Sequence, residues 1–158
     1  MSGSPNRATN PTGGKSRRKN VTLDLPTARR MLPLVKGIVA DIVDTQKHLS
    51  SLAPERDTLE EHRRALSWAS RQRRYAIGDE IAQAEKALAT ATAELDALGV
   101  SLVDPEGGQV DFPTRINGRP AAFSWKAGEE AVGFWRYSGE AQRRPIPADW
   151  QGGTPIRY

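Results

Sequence analysis

The densest group of chemically capable side chains lies between His62 and Tyr75. Arg63, Arg64, Arg71, Arg73 and Arg74 stand there with Trp68 and Tyr75 among them and no acid in the interval. Guanidinium forks grip phosphates in a two-pronged fashion and aromatic faces stack on bases, so this composition suits an anion or nucleic-acid face. Read as a helix, Arg64, Trp68, Arg71 and Tyr75 step by four, three and four and share one side. The competing reading is structural. Across a helical hairpin, Asp41 and Asp44 would neutralise part of the cluster, and Trp68 would pack on Gly37 and Ala40. Exposed charge clusters on helices are ordinarily solvated faces, so the structural reading is preferred.

A second group is aromatic: Phe112, Phe123, Trp125, Phe134, Trp135 and Tyr137. A small meander cannot hold together without a buried face, so most of these rings are expected in a core. Phe134 and Trp135 are neighbours and must point to opposite faces of a strand. Trp125, Trp135, Arg143 and Arg144 are therefore the candidate partner surface. His48 and His62 are the only histidines, fourteen positions apart, which matches no helical metal spacing. Gly107-Gly108 and Gly152-Gly153 lack the lysine and the strand-loop-helix setting of a phosphate loop. No serine has a convincing triad. No catalytic residue, metal site or cofactor is assigned, and an enzyme is the less favoured reading.

Composition narrows the classes further. The absence of cysteine among 158 residues excludes disulfides, cysteine–zinc sites, iron–sulfur clusters and thiol nucleophiles. No stretch approaches a membrane span and no apolar leader opens the chain, so a cytoplasmic setting is expected. The net charge of +4 is uneven: Arg7, Lys15, Arg17, Arg18 and Lys19 give the first 20 residues +5, which leaves −1 for the rest. Residues 1–22 are read as a disordered basic tail, because their Ser/Gly/Pro/Asn-rich composition cannot offset its ordering entropy.

Behind these groups stand the elements that must position them. Ala28, Met31, Leu32, Val35, Ile38, Val39, Ile42, Val43, Leu49 and Leu52 fall at three- and four-residue steps, an apolar stripe on a first helix from about Asp24 to Leu52. Asp24 serves as its N-cap, Pro33 should kink it, and Ala53-Pro54 should end it. A second helix is expected from Glu55–Asp57 to Leu98, closed by Gly99. Ile77, Ile81, Ala84, Leu88, Ala91, Leu95 and Leu98 form an a/d seam on it. At 1.5 Å per residue the first helix spans roughly 40 Å and the second roughly 60 Å. Leu88, Ala91, Leu95 and Leu98 should therefore project past the first helix and need cover from the C-terminal region or a second chain. After Gly99 come short extended runs, the Asn117-Gly118 hairpin signal and an alternating Ala121 to Lys126 segment. The fold class is α+β: a long antiparallel, coiled-coil-like helical hairpin over 23–99, then a small antiparallel β-meander of three to four strands over 100–139. Residues 140–158 form an extended Arg/Pro/Gly-rich segment.

Two stretches carry a resemblance. Leu23 to Val39, with Ala28 before Met31-Leu-Pro-Leu-Val35, is one. Leu98 to Pro147 is the other, with Val110-Asp-Phe-Pro113, Phe123-Ser-Trp-Lys126 and Gly133-Phe-Trp135. Together they resemble an uncharacterised bacterial family catalogued as domain of unknown function 2203, and the Trp68–Tyr75 cluster with Arg143-Arg-Pro-Ile-Pro147 looks like a planctomycete-like subgroup. The resemblance implies the helix-then-meander order and no reaction, cofactor or partner.

The expected function is a non-enzymatic interaction or scaffold protein, self-associating through helix seams as a homo-oligomer, a dimer in preference, or docking a protein partner. The alternative is a nucleic-acid-associated protein using the basic tail and the Arg63–Arg74 helix face. A weaker alternative is a small-ligand binder or enzyme with a pocket between meander and hairpin.

Overall fold

The computed structural model describes residues 22–152 together with Gly3; the basic tail of the sequence reading thus lies almost wholly outside the described residues. Two helices, α1 (Leu25–Glu61) and α2 (Trp68–Ala97), pack against each other and are followed by a sheet. Its strands are β1 (Ser101–Asp104), β2 (Gln109–Ile116), β3 (Arg119–Lys126), β4 (Phe134–Tyr137) and β5 (Arg144–Pro145). They pair antiparallel in chain order, and a 3-10 turn at Ala148–Gly152 follows. The class is α+β.

The Asp24 side chain caps α1 by accepting from the backbone N–H of Thr27 at 2.8 Å, which satisfies one of the helix's orphan donors. Hydrogen bonding with the Thr27 side chain, followed by this backbone bond, holds the Asp24 carboxyl below its usual range. The end of α1 differs from the sequence expectation. The helix passes through Pro54 and continues to Glu61; the connection is residues 62–67, and α2 starts at Trp68, capped by Ser67, whose hydroxyl accepts from Ser70 N–H at 3.2 Å. An interior proline costs a helix roughly 3 kcal/mol. Here cross-helix contacts offset it: Leu59 shares a small cavity lining with Ile77 and Ile81, and Arg73 and Arg74 bond Glu55 and Glu60.

This shift of the turn changes which helix is the longer. With 37 residues in α1 and 30 in α2, it is α1 that overreaches. The expectation of an uncovered far end on the second helix is therefore corrected. Leu95 is fully buried, and Leu88, Ala91 and Leu98 pack on the same core as Leu32, Val35, Val39 and Ile42 of α1. The N-terminal half of α1 is sheltered on more than one side, since that core also takes in residues from α2 and from the sheet.

Strand pairing explains the sheet's burial. In β2, Val110, Phe112, Thr114 and Ile116 alternate inward, and their register partners Trp125, Phe123, Ala121 and Arg119 lie opposite on β3. Asn117 and Gly118 turn the hairpin with φ of 54° and 72°, the left-handed conformation of the tightest two-residue turns. The sheet docks where Leu23 N–H donates to Pro113 C=O at 2.6 Å and Lys36 Nζ donates to Glu130 C=O at 2.8 Å. Gly108 seals the same contact: with φ of 71°, its Cα hydrogen takes the place where a methyl would meet Ala127, Val39 and Val43. The fifth strand, β5, lies in the segment expected to be extended loop, because Arg144 and Pro145 pair with Trp135 and Phe134.

Candidate functional site

The arginine cluster sits at the hairpin tip and is divided by the turn. Arg63 and Arg64 belong to the connection and not to a helix, so the expected four-residue face holds only for Trp68, Arg71 and Tyr75. Arg73 makes a two-pronged contact to Glu55, at 2.8 and 3.2 Å, and approaches Glu80 at 3.8 Å. Arg74 bonds Glu60 at 2.6 Å and lies 6.0 Å from the Tyr75 ring. These bonds hold the Glu55 and Glu60 carboxyls below the usual range, and the hydrogen bond to the guanidinium is the leading cause in each. Asp41 and Asp44, expected to neutralise the cluster, lie farther along and line a groove with Gln83 and Lys86. Trp68, expected to pack on Gly37 and Ala40, is instead 75 % exposed, and Tyr75 on the same face is 67 % exposed. Arg63, Arg64 and Arg71 form no ion pair among the described residues; Arg71 Nε donates to Leu66 C=O at 3.3 Å. Near the tip, the Trp68 and Tyr75 rings are therefore open on one face of α2, and Arg63, Arg64 and Arg71 have no carboxylate partner among the described residues.

The second candidate surface separates differently. Trp125 is 3 % exposed and donates its indole N–H to Glu129 C=O at 2.9 Å. It is a core residue and presents no partner surface, because its strand position shares the inward face of Phe123. Trp135 lies on that face too, but near the end of the sheet. It meets Tyr137 edge-on at 5.0 Å and Trp150 at 5.4 Å. Arg144 stacks over Trp135 and Tyr137, and Arg119 stacks over Tyr137 at 3.9 Å. Arg143 crosses to the outer face: it lies 4.2 Å from the Phe134 ring, donates to Ser124 Oγ at 2.9 Å and pairs with Glu129. Both arginines thus clamp the C-terminal segment to the sheet. Sequence reasoning missed the neighbouring Asp111–Arg136 pair, whose side chains are only 13 % and 15 % exposed. Its signal was present as an outward acid on β2 and an outward arginine two strands away, diagonal to it in the register.

Acid–base and ligand chemistry find little here. His62 caps the end of α1, while His48 faces the shallow groove with Asp44 and Glu80. Among the described residues, no three His, Asp or Glu side chains converge as a metal site. The space between sheet and α1 is filled by Val110, Phe112, Phe123 and Trp125. Among the described residues no helix is long and apolar enough to cross a membrane.

Comparison with protein families matches residues 22–146 to the model of an uncharacterised conserved protein family, DUF2203. The chain belongs to that family. The match takes in the hairpin, its tip and the sheet as far as Ile146, so the tip aromatics and the clamp arginines stand inside the family domain. Comparison with curated proteins and with solved structures finds no match.

Proposed function

We propose that this chain is a non-enzymatic interaction protein, a helical-hairpin scaffold acting in the cytoplasm, whose working surface is the outer face of α2 and the hairpin tip. One observation carries the reading: Trp68 and Tyr75 lie together on one helix face at 75 % and 67 % exposure. Neither ring contributes to the hydrophobic core. Exposed tryptophan and tyrosine with arginine are the residue types that dominate binding energy at protein interfaces. The leucines of the inner seam are spent on the intramolecular core, so assembly through that seam has no support, whereas the outer face is open.

The test is a double substitution, Trp68→Ser with Tyr75→Ser, whose circular dichroism and thermal melting match the parent. Complexes recovered with the parent and lost with the variant support the reading. Complexes recovered equally with both sink it.

A nucleic-acid role is the second reading, supported by the exposed Trp68 and by Arg63, Arg64 and Arg71, which form no ion pair among the described residues. Its signature is a linear loss of oligonucleotide affinity with log salt, with a slope that shrinks when Arg63, Arg64 and Arg71 become glutamine.

A further inference from the structure

The hairpin has two sides, and the sheet covers one of them. Val39 and Val43 of α1 meet the sheet beside Gly108. At about 3.6 residues per turn, Asp41, Asp44 and His48 point away from that contact, to the side the sheet leaves open. There α1 and α2 border a groove of about 560 Å³, whose lining includes Asp41, Asp44, Thr45, Lys86, Ala87 and Glu94. A second hollow shares Asp44, Thr45, Gln83 and Ala87 with it and carries the groove on to His48 and Glu80. Along α2 the groove thus runs from Glu94 to Glu80, about 21 Å. Its floor is made of small residues, Ala84, Ala87 and Ala91. Leu34, 57 % exposed, lies two turns before Asp41 on the same face of α1. Asp41, Asp44 and Glu94 form no ion pair among the described residues, and Glu80 has only the 3.8 Å approach to Arg73. Four carboxylates less the one ammonium of Lys86 leave the groove a net charge of −3.

We infer that this groove docks residues 15–19 of the same chain, an interaction separate from the tip surface proposed above. Two observations select that occupant. The first is charge. Residues 15–19 read Lys-Ser-Arg-Arg-Lys, four cations with no acid, whereas the chain beyond residue 20 sums to −1. The carboxylates of the groove repel phosphate-bearing ligands and attract this composition. The second is reach. Leu23 is fixed to β2 by its N–H bond to Pro113 C=O at 2.6 Å. Counting back from Leu23, Lys19 is four residues away and Lys15 eight, up to about 14 and 28 Å of extended chain. Asp41 and Asp44 lie about 24 and 29 Å along α1 from its first residue, Leu25. A chain turned back along α1 therefore passes Leu34 and brings these cations alongside Glu94, Asp41 and Asp44, with the long arginine and lysine side chains adding further reach. One exposed ion pair is weak by itself. The short tether, however, supplies an effective concentration in the millimolar range, so several weak pairs acting together suffice. Lys86 is the one like charge on the rim and opposes the docking.

The absence of cysteine makes the docking measurable with a single label. The full chain carrying Ser16→Cys is modified with a nitroxide, and line broadening is read from the backbone amide NMR spectrum. At about 0.01 M salt exposed charges act across roughly 30 Å. Thr45, Ala87 and Ala91 should then broaden more than Ala127 and Glu130, which stand beside α1 on its sheet side. At about 1 M salt, where that range falls to about 3 Å, the difference should vanish. Asp41→Lys with Asp44→Lys should abolish it, and Lys86→Glu should strengthen it and carry it to higher salt, in variants whose circular dichroism matches the parent. Equal broadening on both sides of α1 at low salt overturns the inference, as does a difference that survives the reversal of Asp41 and Asp44. Spin-labelled chains mixed with unlabelled, isotope-enriched chains report docking between copies, and groove broadening in that mixture overturns the same-chain occupant. The tip reading is tested apart from this, because Trp68→Ser with Tyr75→Ser leaves every groove residue in place.

Discussion

Three glycines test the packing of the sheet on α1, because the same one-methyl substitution meets a different environment at each. At Gly108 an added Cβ would lie 2.7 Å from Ala127 Cβ, 3.0 Å from Val39 Cγ1 and 3.1 Å from Val43 Cγ2, at a φ of 71°. The left-handed backbone costs an L-residue roughly 1–2 kcal/mol. Forcing a methyl into a filled core adds about 1–3 kcal/mol. Gly108→Ala should therefore destabilise the fold by roughly 2–5 kcal/mol. At Gly118 the φ is 72°, but nothing lies within 4 Å of the new methyl, so only the backbone cost of about 1–2 kcal/mol applies. Gly78 lies inside α2 with open space around it and no left-handed φ, so alanine there should stabilise by roughly 0.5–1 kcal/mol. Urea unfolding followed by circular dichroism measures all three on one scale, with an unchanged slope confirming that stability alone moved. For a chain of this size each kcal/mol moves the melting temperature by about 2–4 °C. The reasoning fails if Gly108→Ala costs no more than Gly118→Ala, since the turn after β1 would then not rest on α1.

Further outcomes follow from other sites. Pro54→Ala restores a helical N–H inside α1, seven residues before its end, and should stabilise by about 1–3 kcal/mol in the same unfolding assay; a loss of stability would mean that the proline shapes the helix end. Asp111→Ala strands the mostly buried Arg136 guanidinium and should cost roughly 2–4 kcal/mol, whereas replacing both by apolar residues should cost much less in a double-mutant cycle. Glu55 and Glu60 have carboxyls depressed below their ordinary 4.5 by Arg73 and Arg74. Their contribution is fully present above that ordinary value and is lost as pH falls through the lowered folded values. Carboxyl NMR titration should show both midpoints below 4.5, with a rise in Arg73→Gln for Glu55 and in Arg74→Gln for Glu60.

The legible part of this protein was local. The stripe from Ala28 to Ile42, the Asp24 cap and the Asn117-Gly118 turn each depend on contacts within a few residues, and periodicity reports such contacts directly. The seam from Ile77 to Leu98 was legible for the same reason, and its far end shares a core with the C-terminal region, one of the two covers expected, and also with α1, which was expected to fall short of it. What misled was Pro54. As a local signal it ends a helix, yet Leu59 and the Glu55–Arg73 and Glu60–Arg74 bonds carry α1 seven residues past it. Moving the turn moved every cross-helix pairing with it. Asp41 and Asp44 thereby left the arginine cluster, and Trp68 was stranded in the open.

The sheet shows the same division. Alternation placed Phe123 with Trp125 and set Phe134 against Trp135, but it did not say which face met α1. Composition and period by themselves determined the two helices and the first four strands, the order of helices before strands, and the absence of thiol chemistry. Only the tertiary structure decided which arginines are paired, which tryptophan is core and which is open, and which helix is the longer. The physical reason is that hydrogen bonds within one turn are written in neighbouring residues, whereas burial and ion pairing are settled between segments whose register depends on where the chain turns.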